Sequence, residues 1–198
     1  QNSGGRSLHS AEIIAEELRL ASLDHAVVAV ILDMDTPGGE VVASDEILHQ
    51  VLACRNAGKP VVTCMRSLAA SGGYYVAAGS DWIVANRHTL TGSIGVIVSS
   101  LNYANLMATL GLKLETIKSG EMKDAMSGAR APTEVELEHM RNLVREAFHG
   151  FADVVAAGRE RYADRDAVLA ADFADGRILT GTAALEAGLV DELGYFGD

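Results

Sequence analysis

The chain has 198 residues, 48% of them hydrophobic, and a formal charge of −11. That length and apolar content can bury a full core and suit one domain, or one domain with an appended helical piece. The acidic balance argues against nucleic-acid binding and against general affinity for anionic lipid.

In chain order, residues 1–9 read as a flexible leading segment, and a chain that begins at Gln1 leaves room for an upstream anchor or leader. No apolar run approaches the 18 or so residues of a membrane span. Ser10 can cap a helix through about Ala21. Ala26–Leu32, A-V-V-A-V-I-L, is a continuous run with β-branched residues and reads as a strand buried on both faces of a parallel sheet. It ends in the loop Asp33–Gly39. A second helix runs from about Ser44 to Ala57, with Gly58 as its stop, and Pro60–Met65 is the next strand. Two strand–loop–helix units in succession indicate an α/β fold with right-handed crossovers. Cys54 and Cys64 lie in apolar contexts without C-x-x-C spacing, which suits buried thiols better than a disulfide or a metal site.

Ser71 then falls where a strand ends and a small apolar helix begins, followed by Gly72 and Gly73. Such a hydroxyl is exposed at a sheet edge, and the glycines let backbone N–H groups approach a ligand closely. The hydrolase elbow G-x-S-x-G is not met, since Ala69 stands two residues before Ser71. A helix N-cap beside a glycine turn is the alternative reading. Tyr74 and Tyr75 read as packing residues of the same helix.

Downstream, Asp81–Asn86 is a short strand and Gly92–Val98 a glycine-punctuated turn entering another. Leu101–Leu110 reads as helix and Lys113–Ile117 alternates like a strand. Lys118–Pro132 is polar and aperiodic, and a loop of that length inside a compact domain is functional or disordered. Lys118 within it reads as solvated; Asp124 could orient the loop, with a solvated carboxylate as the plainer reading. Thr133 opens an amphipathic helix to about Tyr162, with T-E-V-E as a capping box. Asp175–Gly194 reads as strand, turn and short helix. The catalytic loops thus fall in an α/β core over 10–132, and 133–198 forms a helical and C-terminal segment of one domain, 1–198.

Three glycine-bearing loops, Thr36–Gly39, Ser71–Gly73 and Thr91–Gly95, lie at strand ends, which in an open parallel sheet face one crevice. A serine nucleophile needs a base and an oxyanion hole. Gly38 or Gly39 with the Gly72 amide can donate to an oxyanion. Among six histidines, only His88 lies near a glycine loop, so a triad through His88 competes with a Ser-Lys dyad. A lysine serves as a base only as the neutral amine, a form that a partly closed apolar cleft favours.

A-A-S-G-G-Y-Y around Ser71, T-P-G-G before it, T-G-S-I-G-V-I after it and I-K-S-G-E-M-K-D-A-M-S together resemble the signal peptide peptidase A family of serine proteases. The resemblance runs from about Ser10 to Gly194. It implies the Clp protease/crotonase fold of repeated strand-strand-helix units, with Ser71 as nucleophile and Lys123 as general base. Ser93 matches the serine that hydrogen-bonds the lysine, and Gly38 with Gly72 match the oxyanion hole. It implies no metal and no cofactor. It further implies extended hydrophobic peptide substrates such as signal-peptide remnants, and a homo-oligomeric ring. The parent protein would belong to the bacterial cell envelope, membrane-associated, with this soluble domain outside the cytoplasm. Family members usually have an extra strand and often an anchor before the first helix, and neither is recognisable here. Larger relatives split the dyad between two tandem copies, whereas this chain holds both residues. A crotonase-like acyl-CoA enzyme and an inactive scaffold share the fold, and the presence of both Ser71 and Lys123 disfavours each.

Overall fold

Val30–Thr36 forms the first strand, β1, in the computed structural model, which describes residues 10–197; the leading segment 1–9 lies outside the described residues. The strand starts later than the apolar run suggests and continues through Asp33-Met34-Asp35, a stretch that reads as loop. Val30, Leu32 and Met34 are half-buried, whereas Ile31, Asp33 and Asp35 are exposed. The expectation of a strand covered on both faces is therefore corrected. β1 has one ladder partner among the described residues, β2 (Val61–Ala70), and one of its faces stays open. A half-covered edge strand alternates with period two.

β2 is the hub of the sheet. β1 runs parallel along one edge of it, from Val61 to Ala69. On the other edge β3 (Trp82–Ala85) pairs with Val62–Met65 and β4 (Leu90–Gly92) with Leu68–Ala70, both parallel. β6 (Glu192–Leu193) continues beyond β3 in parallel, and β5 (Ile178–Thr180) adds to β4 antiparallel. The sheet expected to be parallel thus carries one reversed strand.

The helices α1 (Ser10–Leu23) and α2 (Val41–Asn56) bring their apolar stripes to a shared core. Leu18, Val51, Cys54, Val61 and Val76 form its buried cluster, and Val30, Leu32, Met34 and Ile47 pack against it. Each such aliphatic side chain contributes roughly 1.5–3 kcal/mol when taken from water. Cys54 is a buried thiol that donates to the Leu18 carbonyl at 3.3 Å, and burial pushes its ionisation up. The Lys59 ammonium closes the end of α1, donating to Ala21 O at 2.5 Å and Asp24 O at 2.6 Å.

The described chain divides into two compact units, 10–95 with 149–197, and 96–148. The second holds α4 (Ala104–Thr109), a 3₁₀ turn at Glu121–Asp124 and the start of α5 (Glu134–Gly158). The strands expected after Gly95 and over Lys113–Ile117 do not form; these stretches find no ladder partner among the described residues, and alternation alone does not supply one. The capping box does form: Thr133 N–H donates to Glu136 Oε2 at 2.7 Å and Glu136 N–H to Thr133 Oγ1 at 3.2 Å.

In the first unit α5 ends at Gly158, short of Tyr162. A side chain there would collide with the Ala78 backbone, so only glycine allows this approach. The next residue, Arg159, is buried and donates to Asp191 Oδ2 at 2.8 Å and Ser80 O at 3.0 Å. α6 (Arg165–Leu169) and α7 (Gly181–Glu186) follow, both capped by side chains, Asp164 and Thr180.

The serine helix, α3 (Gly72–Ala77), is anchored by its tyrosines. Tyr74 is fully buried and its hydroxyl donates to Leu189 O at 2.8 Å. Tyr75 meets the Phe151 ring edge-on at 5.2 Å and donates to Asp45 Oδ1 at 2.7 Å. Tyr74→Phe leaves the buried Leu189 carbonyl without its donor and should cost about 1–2 kcal/mol in urea denaturation; an unchanged midpoint would show the bond to be dispensable.

Candidate active site

Ser71 sits at the junction of β2 and α3 with φ 53° and ψ −121°, in a region that residues with a side chain rarely adopt. A serine held there by surrounding contacts stores roughly 1–3 kcal/mol of strain, a feature that clusters at functional sites. Its N–H donates to Gly92 O at 2.9 Å and its carbonyl accepts from Tyr75 N–H at 2.9 Å, so both sides of the strained residue are tied to regular structure.

Gly38 presses against this turn from the end of β1. Its φ is +102°, and a Cβ there would lie 2.6 Å from Gly72 N and 2.8 Å from both Ala70 O and the Ser71 Cβ. A Cβ on Gly72 would in turn meet Gly39 N at 3.0 Å, and one on Gly73 would meet the Thr36 methyl at 2.7 Å. Backbone amides of Gly38, Gly39 and Gly72 are thereby gathered beside Ser71, where side chains would keep them apart. The Gly38 N–H donates weakly to Thr36 Oγ1 at 3.2 Å.

Ser93 directly follows β4, and Gly92 pairs with Ala70. It too has positive φ, 51°, and its N–H donates to Arg177 O at 2.8 Å. The three glycine loops read from the sequence as converging do meet in the first unit. His88 does not join them. It is exposed at the start of β4, where Thr89 Oγ1 donates to Arg66 O, five residues back along β2 from Ser71. At about 3.3 Å per residue that is roughly 16 Å, out of reach of the serine hydroxyl.

Lys123 belongs to the second unit, on the 3₁₀ turn Glu121–Asp124, and its side chain is exposed. Lys118, expected to be solvated, and Asp124, read as either orienting the loop or solvated, are both half-buried and ion-paired. Lys118 Nζ donates to Asp124 Oδ1 at 3.0 Å and Glu121 Oε2 at 3.0 Å. Arg130 grips Asp124 through Nε at 3.0 Å and Nη2 at 2.7 Å, and holds Glu136 through Nη1 at 2.8 Å and through Nη2. Sequence reading misses this network because its charges are spaced across an irregular loop, where no periodicity marks partners. The Arg130 guanidinium, with Lys118, holds the Asp124 carboxyl well below the usual range. Arg130 and the Thr133 N–H lower Glu136 to about 2. Among the described residues no group of three or more His, Cys, Asp or Glu side chains is placed to hold a metal ion, and no helix is long and apolar enough to cross a membrane.

The family model described as Peptidase family S49 matches residues 53–198. A putative signal peptide peptidase SppA of Enterococcus faecium is 41% identical over 197 residues, covering 100% of this chain and 56% of that protein. Protease 4 of Salmonella typhi is 36% identical over 186 residues, 93% of this chain and 29% of the relative. The chain thus spans about half the length of the first relative and under a third of the second. Among solved structures, an alanine variant of the membrane-bound stomatin-specific protease 1510-N superposes with a TM-score of 0.55 at 20% identity, over 93% of this chain and 72% of that one. The α/β fold is accordingly the one shared by the Clp protease and crotonase families.

Asp124 and Glu136 ionise more readily folded than unfolded, so their contribution to stability is full above the ordinary Glu value of 4.5 and fades as pH falls toward about 2. Thermal melts between those limits should therefore lose stability with acid more steeply in the wild type than in Glu136→Gln. Parallel curves would show that the network contributes nothing to folding.

Proposed function

The chain belongs to peptidase family S49, and from that membership we propose that it is the catalytic part of a serine endopeptidase in which Ser71 is the nucleophile and Lys123 the general base. The single observation that carries the nucleophile is the strained Ser71 turn, with the amides of Gly38 and Gly72 gathered beside it. The remote position of His88 supports a lysine over a histidine as base. In this reading the two compact units work as one peptidase domain, with the catalytic loops in 10–132 and the helical segment after 133.

Neutral Lys123 takes the proton of Ser71 Oγ as the oxygen bonds to the peptide carbonyl carbon. The oxyanion that forms accepts hydrogen bonds from the Gly38 and Gly72 N–H groups. For Gly38 this replaces the long bond to Thr36 Oγ1, so an unstrained donor is released rather than a strong one broken. The carbon–nitrogen bond then breaks and the lysine ammonium hands its proton to the leaving amine. Water attacks the acyl-enzyme ester and gives a proton to Lys123; the bond between the acyl carbon and Ser71 Oγ then breaks, the new carboxyl group leaves, and the lysine ammonium returns the proton to Ser71 Oγ. Ser93 orients the lysine by a hydrogen bond. Since Lys123 is exposed in the free protomer, a bound peptide and neighbouring protomers of a ring supply the exclusion of water that a neutral amine needs.

The substrates are extended hydrophobic peptides such as signal-peptide remnants, bound by strand-type backbone pairing. The parent protein works at the bacterial cell envelope, in association with the membrane. Neither a metal nor an organic cofactor enters any step.

Ser71→Ala should abolish peptide hydrolysis and labelling by a fluorophosphonate probe, and Lys123→Ala should fall to about the same level. His88→Ala should keep most activity, Ser93→Ala should lose less than either dyad change, and wild-type activity should rise with pH as the amine loses its proton. An inactive His88→Ala beside an active Lys123→Ala would replace the dyad with the triad. Light scattering at micromolar concentration should give several protomer masses; a fully active monomer would remove the ring from this reading.

A further inference from the structure

Lys123 poses a positioning problem that its own contacts do not solve. The side chain is exposed, and its ammonium makes no ion pair among the described residues. It stands on a single 3₁₀ turn whose hydrogen bonds are long: Lys123 N–H to Gly120 O at 3.1 Å, Ala125 N–H to Met122 O at 3.2 Å and Ser127 N–H to Asp124 O at 3.1 Å. Such a turn has poor hydrogen-bond geometry and little stability of its own. Yet a base misplaced by about 1 Å can lose on the order of 100-fold in rate.

Resting on the dyad reading above, we propose that Arg130 is the positioning residue for Lys123, clamping the turn that carries the base onto the first turn of α5. The guanidinium forms a fork on Asp124, the residue next to Lys123, and a second fork on Glu136. Glu136 is a rigid anchor: its side chain is 3% exposed, and the capping box with Thr133 fixes it at the start of a long helix. Lys118 holds the same Asp124 from the beginning of the loop. Planar bidentate pairing fixes direction as well as distance, which a lysine in place of Arg130 does not reproduce.

The clamp has a second consequence for the base. Asp124 Oδ1 already accepts from Lys118 and Arg130, and Oδ2 from Arg130. An unengaged carboxylate close to a catalytic ammonium favours its charged form and would hold the lysine protonated. Arg130 keeps Asp124 occupied and so leaves Lys123 available.

The test compares wild type with Arg130→Gln, Arg130→Lys and Asp124→Asn, following kcat and KM on a hydrophobic peptide and amide hydrogen exchange by mass spectrometry. Arg130→Gln should lose at least about tenfold in kcat with KM within about twofold, and exchange over 121–127 should quicken while β2 stays protected. Arg130→Lys should fall between it and wild type, and Asp124→Asn should repeat the pattern if Arg130→Gln does not fold. Wild-type kcat with faster exchange would show a loop that catalysis does not need, and the proposal would fall. A loss of kcat without faster exchange would overturn positioning as the cause. Activity retained in Lys123→Ala is a separate outcome: it sinks the assignment of the base itself, whatever Arg130 does.

Discussion

The arrangement around Ser71 depends on one constraint: the chain must turn from β2 into α3 through a backbone conformation that a serine does not adopt freely. That conformation persists because its surroundings over-determine it. The preceding strand is paired on both edges, by β1 and by β4, the serine N–H is held by Gly92, and Gly38 leaves no room for the turn to relax toward β1. Strain of a few kcal/mol is small beside the burial of Val61, Met65, Ala69, Tyr74 and Val76 around it. The absence of side chains at 38 and 72 permits the close approach and also bares the amides, the feature on which the proposed oxyanion hole rests.

The second unit is stabilised on different terms. Its apolar residues Ile97, Leu101, Leu106, Leu110, Leu114 and Ile117 are exposed, so burial contributes less there than in the first unit. Order in the loop 118–132 comes instead from charges: two cations, Lys118 and Arg130, and three carboxylates, Glu121, Asp124 and Glu136, the last fastening the loop to α5. Ion pairs hold direction well but depend on protonation and on salt. A lysine-bearing loop built this way can be shaped without a core around it, which leaves the ammonium itself exposed.

Much of this was legible beforehand because it rests on local rules. The T-E-V-E capping box, the strand-to-glycine junction at Ser71, the packing role of Tyr74 and the burial of Cys54 each follow from a few neighbouring residues, and each is found in the fold. The extent of β1 was not legible, because its Asp33 and Asp35 are tolerated only where an edge strand turns one face to water, with Arg66 paired to Asp33. The missing strand at 113–117 has the same origin: alternation in a sequence allows a ladder and does not provide a partner.

What the sequence determined by itself was the α/β class, the strand-to-helix turn at Ser71 and the glycine loops beside it, since strand ends, glycines and capping residues act within a few positions of one another. Only the tertiary structure decided that Gly38 touches the Ser71 turn, that His88 stands at the wrong end of β4, and that Asp124 is occupied by Arg130 rather than solvated. These depend on register between strands and on charges brought together across an irregular loop. Pairings of that kind have no period along the chain, so they exist only once the chain has folded.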